Sequence, residues 1–183
     1  AKFLGLSEKT VVTTAIIDAH AAIPAAGITK EDEMLMILGT SGCHISLSKI
    51  YKEVDGICGI VKDGIIEDFY AYKAGQAGMG DHFEWMLRTI VNKQIEEKAK
   101  NKGLSVLEYL SLLAQKQAVG AHGLLALDWW NGNRTVLNDS DLSGVILGLN
   151  LSTKPEDIYR ALVEAVAYGT RKIIENYENN GIN

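Results

Sequence analysis

Apolar and polar positions alternate with two different periods along this chain, and the first clear change of period comes at Gly80. From Val11 to Ile17 the residues are rich in β-branched side chains and end at a carboxylate, Asp18, which predicts a buried strand closing on an acid. His20 to Ala26 is alanine-rich, holds Pro24 and is closed by Gly27, so a short helical turn is expected. Met34–Leu38 and Cys43–Leu47 bracket the small-residue turn Gly39-Thr40-Ser41-Gly42 and predict a hairpin. Cys58–Val61 and Ile65–Tyr72 predict a second hairpin, with Asp63-Gly64 at its turn. Two consecutive hairpins argue against a simple parallel βαβ array.

From Gly80 the spacing becomes helical. Phe83, Met86, Leu87, Ile90, Val91 and Ile95 share one face, and Asp81 with Glu84 forms a capping-box-like start. This predicts one helix reaching Gly103 through Lys98, Lys100 and Lys102. Ser105 with Glu108 opens a second helix, expected to run to about Gly120. Gly123–Leu127 and Val145–Leu149 read as buried strands around a polar loop, 128–142. Thr153 with Glu156 opens a third helix carrying Ile158, Leu162, Ala165, Val166, Gly169 and Ile173 along one face. The fold class expected is α/β: a mixed sheet with hairpins, followed by long helices.

Composition narrows the functional classes. With 18 basic and 23 acidic residues among 183, the net charge of −5 argues against nucleic acid as the main ligand. No apolar run approaches the roughly 20 residues needed to span a bilayer, and the N-terminus lacks signal-peptide grammar. Cys43 and Cys58 do not make a disulfide framework. Together these predict a cytoplasmic protein without a membrane partner. None of the four histidines (His20, His44, His82, His122) lies in a His-x-x-x-His pattern with another ligand, so no protein metal site is expected. Cys43 beside His44 is no thiol–imidazole pair, because neighbouring side chains of a strand point to opposite faces.

Two features carry candidate chemistry. Asp18 reads either as a general base or as a helix cap. Gly39, Thr40 and Ser41 read either as an ordinary hairpin turn or as a cradle, since glycine permits close backbone approach and the hydroxyls donate to phosphate oxygens. Trp129, Trp130, Asn131, Asn133 and Arg134 fit a recognition loop and internal packing equally well.

Several blocks together resemble the FGGY carbohydrate kinases, in their pentulose-kinase branch: Asp18 to Ile28, Leu38 to Ile45, Ala74 to Trp85, Leu127 to Leu137 and Asp141 to Leu149. The resemblance covers nearly the whole chain. It implies an actin/hexokinase-like (ribonuclease-H-like) fold, here incomplete. Residues 1–27 would be the end of an N-terminal sugar-binding domain and the hinge, and residues 28–183 the first part of the C-terminal nucleotide-binding domain. It further implies ATP-dependent phosphorylation of a pentulose such as L-ribulose on its primary hydroxyl. Asp18 would be the catalytic base, Gly39, Thr40 and Ser41 would hold the phosphate, and Asp18, Lys73 and Gln76 would meet the sugar. ATP and Mg²⁺ are implied, the ion with few or water-mediated protein contacts. Where family members usually read Glu-Ala-Gly-Gln, this chain reads Lys73-Ala74-Gly75-Gln76, replacing an acceptor by a donor. A xylulokinase- or glycerol kinase-like enzyme, or a non-catalytic actin-like binding module, are the alternatives. The chain alone is expected to be inactive, and its apolar helix faces to make it a homo-oligomer.

Overall fold

The first strong determinant of the architecture is the pairing of the two hairpins into one sheet. The computed structural model describes residues 2–13 and 15–182. Strands β1 (Met34–Leu38) and β2 (Gly42–Ser48) form the first hairpin around the three residues 39–41. Strands β3 (Gly59–Lys62) and β4 (Tyr70–Gln76) form the second. Antiparallel pairing of β2 with β4 joins them in the order β1-β2-β4-β3. The second hairpin is wider than its sequence suggests. Asp63 adopts a positive φ as expected of a turn, but the chain does not re-enter the sheet until Tyr70. Within the loop the Asp63 carboxylate accepts from the Asp68 N–H, which organises residues 63–69 without strand pairing.

Alternation along β2 and β4 places one set of side chains on each face. On one face Ile45, Leu47 and Ala71 pack with Ile23 of helix α1 (Asp18–Ala25). On the other, Tyr72 and Ala74 pack with Ile173 and Tyr177 of the long helix α5 (Pro155–Asn179). Both faces of this sheet therefore meet apolar cover, which is why both central strands are buried along most of their length.

The N-terminal part of α5 belongs to a second core. There Ile158, Ala161, Leu162 and Ala165 meet Met86 of α2 (Gly80–Thr89), Ile95 and Ala99 of α3 (Lys93–Asn101), and Tyr109 and Leu110 of α4 (Val106–Ala114). At about 1.5 Å per residue, α5 is long enough to serve both cores as one rod. A two-stranded antiparallel sheet, β5 (Leu125–Leu127) with β6 (Val145–Leu147), lies against it.

Four expectations are corrected. The run 11–17 forms no strand in its described residues; Thr14 lies outside them. Its described side chains are exposed, Val11 by 83% and Ile17 by 55%, because no strand among the described residues pairs with it. The helix expected from Gly80 to Gly103 breaks into α2 and α3. A β-branched run, Thr89-Ile90-Val91, disfavours helix, and Asn92 caps a new one by accepting from the Ile95 N–H at 3.1 Å. Asp81 caps nothing; α2 starts from Met79 without a side-chain cap, and the Asp81 carboxylate accepts from Asn131 instead. Strands β5 and β6 are shorter than expected and only partly buried, with Leu125 and Leu147 about half exposed.

The other helix starts divide. The Ser105–Glu108 capping box forms in both directions, although α4 stops at Ala114 rather than near Gly120. At α5 the N-cap is Lys154 rather than Thr153. Pro155 fits the first helical position, and the reaching acid is Asp157, which accepts from the Lys154 N–H at 2.9 Å.

Candidate active site

Helix α1 begins at Asp18, directly over the sheet face that carries Cys43 and Ile45. Asp18 is the first helical residue, with Ile17 at the N-cap, and its Oδ1 accepts from the Ala19 N–H at 2.7 Å. The acid therefore stands at the positive end of a short helix, and it is exposed. It belongs to none of the ion pairs found among the described residues.

Lys73 of β4 lies opposite Ile45 of β2, so the register sets it on this same face. Burial raises the Cys43 thiol pKa; Lys73 and Arg134 pull it down, and Asp18 pushes it up, so all three charges lie within reach of one side chain. Lys73 also helps burial to lower the pKa of His20 on α1. Asp18 and Lys73, far apart in the chain, are thus brought to one side of the sheet. His44, by contrast, points to the opposite face, so the separation of Cys43 from His44 is as strand alternation requires.

The turn Gly39, Thr40, Ser41 sits at the end of the β1–β2 hairpin, where helix α2 abuts it. The Met79 N–H donates to the Thr40 carbonyl at 2.8 Å, and the Gly80 N–H donates to the Gly39 carbonyl at 3.0 Å. The approach depends on glycine, since a Cβ at Gly80 would lie 2.9 Å from the Gly39 carbonyl oxygen. The turn's carbonyls thus hold the start of α2. Among the described residues, no hydrogen bond uses the N–H or hydroxyl groups of Thr40 and Ser41. These donors are what an anionic oxygen needs. Beside them runs an apolar groove of 520 Å³, lined by Met36, Leu38, Met79, Phe83 and Val166.

Gln76 has a different environment. Its side chain is buried and its amide is fully committed: Nε2 donates to Asp128 Oδ2 at 2.6 Å and to the Val166 carbonyl at 2.9 Å. Its Oε1 accepts from Thr170 at 2.7 Å and pairs with His44 Nε2 at 3.0 Å. Here Gln76 ties β4 to β5 and α5, and it presents no free polar atom to the α1 face. Burial pushes the Asp128 pKa up, partly offset by the Gln76 bond, and pushes that of His44 down. Sequence reasoning missed Asp128 because nothing local distinguishes it from the start of a polar loop.

The loop after β5 resolves its own ambiguity in part. Trp130 packs against Trp85 and His82 at centroid separations of 5.1 and 5.0 Å, so it is internal packing. Trp129 and Asn133 instead line a cleft of 510 Å³ beside Asp128 and α5. Among the described residues no group of three or more His, Cys, Asp or Glu side chains gathers to hold a metal, and no helix is long and apolar enough to cross a membrane.

Comparison with known proteins gives the family and the fold. Residues 34–183 match the FGGY family of carbohydrate kinases, C-terminal domain. The chain is 51% identical over 178 residues to a ribulokinase of Bacillus licheniformis, covering 97% of this chain and 32% of that protein. To a ribulokinase of Anoxybacillus flavithermus it is 49% identical over 183 residues, again covering 32% of the relative. The chain therefore spans about a third of the length of these relatives. Among solved structures, the xylulose kinase from Rhodospirillum rubrum superposes with a TM-score of 0.72 at 26% identity, covering 88% of this chain and 30% of that one. The fold is accordingly of the actin/hexokinase-like type found in such sugar kinases.

Proposed function

This chain belongs to the FGGY family of carbohydrate kinases, and we propose that it supplies one wall of the active site of an ATP-dependent kinase acting on a pentulose such as L-ribulose. In this reading residues 1–27 are the end of the sugar-binding domain and the hinge, and residues 28–183 open the nucleotide-binding domain. The protein works on small molecules in the cytoplasm and assembles as a homo-oligomer. The observation that carries the reading is the gathering of Asp18 and Lys73 on one sheet face whose strands lead into a turn with free donors.

Asp18 acts as general base. The sugar's primary hydroxyl oxygen attacks the γ-phosphorus of ATP; the new O–P bond forms as the bond to the bridging β–γ oxygen breaks, and ADP leaves. The hydroxyl proton passes to the Asp18 carboxylate. Thr40 and Ser41 donate to oxygens of the phosphate chain, and Gly39 lets the backbone come close. Lys73, which can only donate, faces acceptor oxygens of the sugar. Gln76 enters as a strut, not as a sugar ligand. Mg²⁺ accompanies the nucleotide; without a carboxylate cluster among the described residues, no side chain of this chain is assigned to it and no step runs through it.

The test is Asp18→Asn in the complete kinase, with ATP, Mg²⁺ and L-ribulose. Loss of a general base costs about 10²–10⁴ in rate, whereas loss of a favourable charge at a helix start costs under about 1 kcal/mol of stability. We expect kcat to fall at least ~100-fold with little change in either KM or the melting temperature. Near-normal kcat with a lower melting temperature would make Asp18 a structural residue and overturn the assignment.

A further inference from the structure

We infer that Arg134 is a second functional cation of this site, placed to stabilise charge on the phosphoryl group during transfer; this rests on the kinase reading above. Three independent observations bring it there. First, the loop carrying it is pinned to the sheet: the Gly75 N–H donates to Thr135 Oγ1 at 3.2 Å, so residue 134 arrives at the edge of β4. Second, β4 has no side chain at that point. A Cβ on Gly75 would lie 3.1 Å from Arg134 Cδ and 3.5 Å from its Nη1, so the arginine stem packs directly over the backbone at Gly75, where a side chain would crowd it. The same position is 2.9 Å from the Gly42 carbonyl oxygen, the residue that follows the phosphate turn. Third, register fixes the side. Gly75 pairs with Cys43, whose side chain packs with the α1 face, and Arg134 acts on the Cys43 thiol together with Lys73 and Asp18.

The strand ladder then orders the groups along the sheet face. Cys43 and Gly75 lie two residues beyond Ser41, and Ile45 and Lys73 two residues farther. At about 3.3 Å per residue along the strand, the Gly75 position that the arginine stem overlies is about 7 Å from the turn, and the Lys73 position roughly twice that. Arg134 is thus nearer the turn that would hold the phosphate, and Lys73 farther along, where the sugar would extend. Arg134 is exposed and joins none of the ion pairs among the described residues, so its fork is free. A planar guanidinium is suited to the equatorial oxygens of a phosphoryl group in transit. It takes no part in bond making; its charge lowers the cost of what accumulates there.

The experiment compares Arg134→Gln and Arg134→Lys with the unaltered complete kinase, using ATP, Mg²⁺ and L-ribulose. Removing one preorganised donor to developing charge costs about 10²–10³ in kcat. We expect a loss of that size for Arg134→Gln, a smaller loss for Arg134→Lys, and both KM values and melting temperatures nearly unchanged. Near-normal kcat in Arg134→Gln, or a loss shared equally by KM and melting temperature in both variants, overturns the assignment and leaves the kinase reading intact. Absence of turnover in the unaltered protein on L-ribulose and related pentuloses would overturn both.

Discussion

Replacing Gln76 by Leu should be among the most damaging single changes available to this chain, although it adds no bulk. The amide makes four hydrogen bonds, to Asp128, Val166, Thr170 and His44, at 2.6–3.0 Å. Net, each such bond is worth about 1 kcal/mol, but the asymmetry of loss matters more. Leucine leaves the Asp128 carboxylate, the Thr170 hydroxyl and the His44 ring without that partner in surroundings where water is scarce. Stranding a buried polar group costs about 1–3 kcal/mol, and more for a charge. Some of this is recovered when Asp128 takes a proton, since burial already favours its neutral form. The sum is roughly 3–6 kcal/mol, against a typical total of about 5–15 kcal/mol. For a chain of this size each kcal/mol moves the midpoint by about 2–4 °C, so a fall of at least roughly 6 °C is expected. Urea unfolding of the 183-residue chain followed by circular dichroism measures the free-energy change directly. A change below about 1 kcal/mol would refute the strut, because a side chain with four real partners cannot be removed so cheaply.

The remaining predictions concern pH and association. Burial lowers the pKa of His44 and of His82; neither His82 ring nitrogen meets a partner in good geometry, and the Asp128 backbone and Asp81 charge only offset burial in part. The unfolded chain therefore takes up these protons first, so stability is full above about pH 6.5 and is lost as pH falls below it, at up to about 1.4 kcal/mol per unit for each ring. Asp128 has the opposite sign: its raised pKa gives a contribution fullest below the ordinary carboxylate value and lost as pH rises through the folded one. Unfolding of the chain and of His82→Leu between pH 7.5 and 5 should show a shallower acid slope in the variant, and equal slopes would count against the buried ring. The outer edge of β1 pairs with no strand among the described residues, and Leu38 there is 67% exposed beside the apolar groove. Such an edge recruits another strand, so sedimentation should show self-association that Leu38→Lys weakens, whereas a monomer at all concentrations would sink the idea.

Local chemistry makes several elements legible from neighbouring residues. Gly39-Thr40-Ser41 between two apolar runs specifies the first hairpin, and Ser105 with Glu108 specifies the start of α4, because both depend on residues within a few positions. The family blocks also convey the kinase relationship. Where local signals conflict with distant partners, the sequence misleads. The β-branched run before Asp18 has every propensity for a strand and meets no strand partner among the described residues, while the apolar stripe after Gly80 hides a break enforced by Thr89-Ile90-Val91 and Asn92. The buried junction is invisible in the chain because its members, His44, Gln76, Asp128 and Thr170, come from four separate elements. Each looks like an ordinary polar residue until the packing of β4 against α5 removes water from all of them together. Arg134 is the same lesson at the surface. Its charge is plain in the chain, but its place depends on Thr135 reaching Gly75 and on a glycine where a side chain would crowd it. Short-range preferences are written in neighbouring residues; the meeting of remote side chains is decided by which faces are buried, and that belongs to the folded whole.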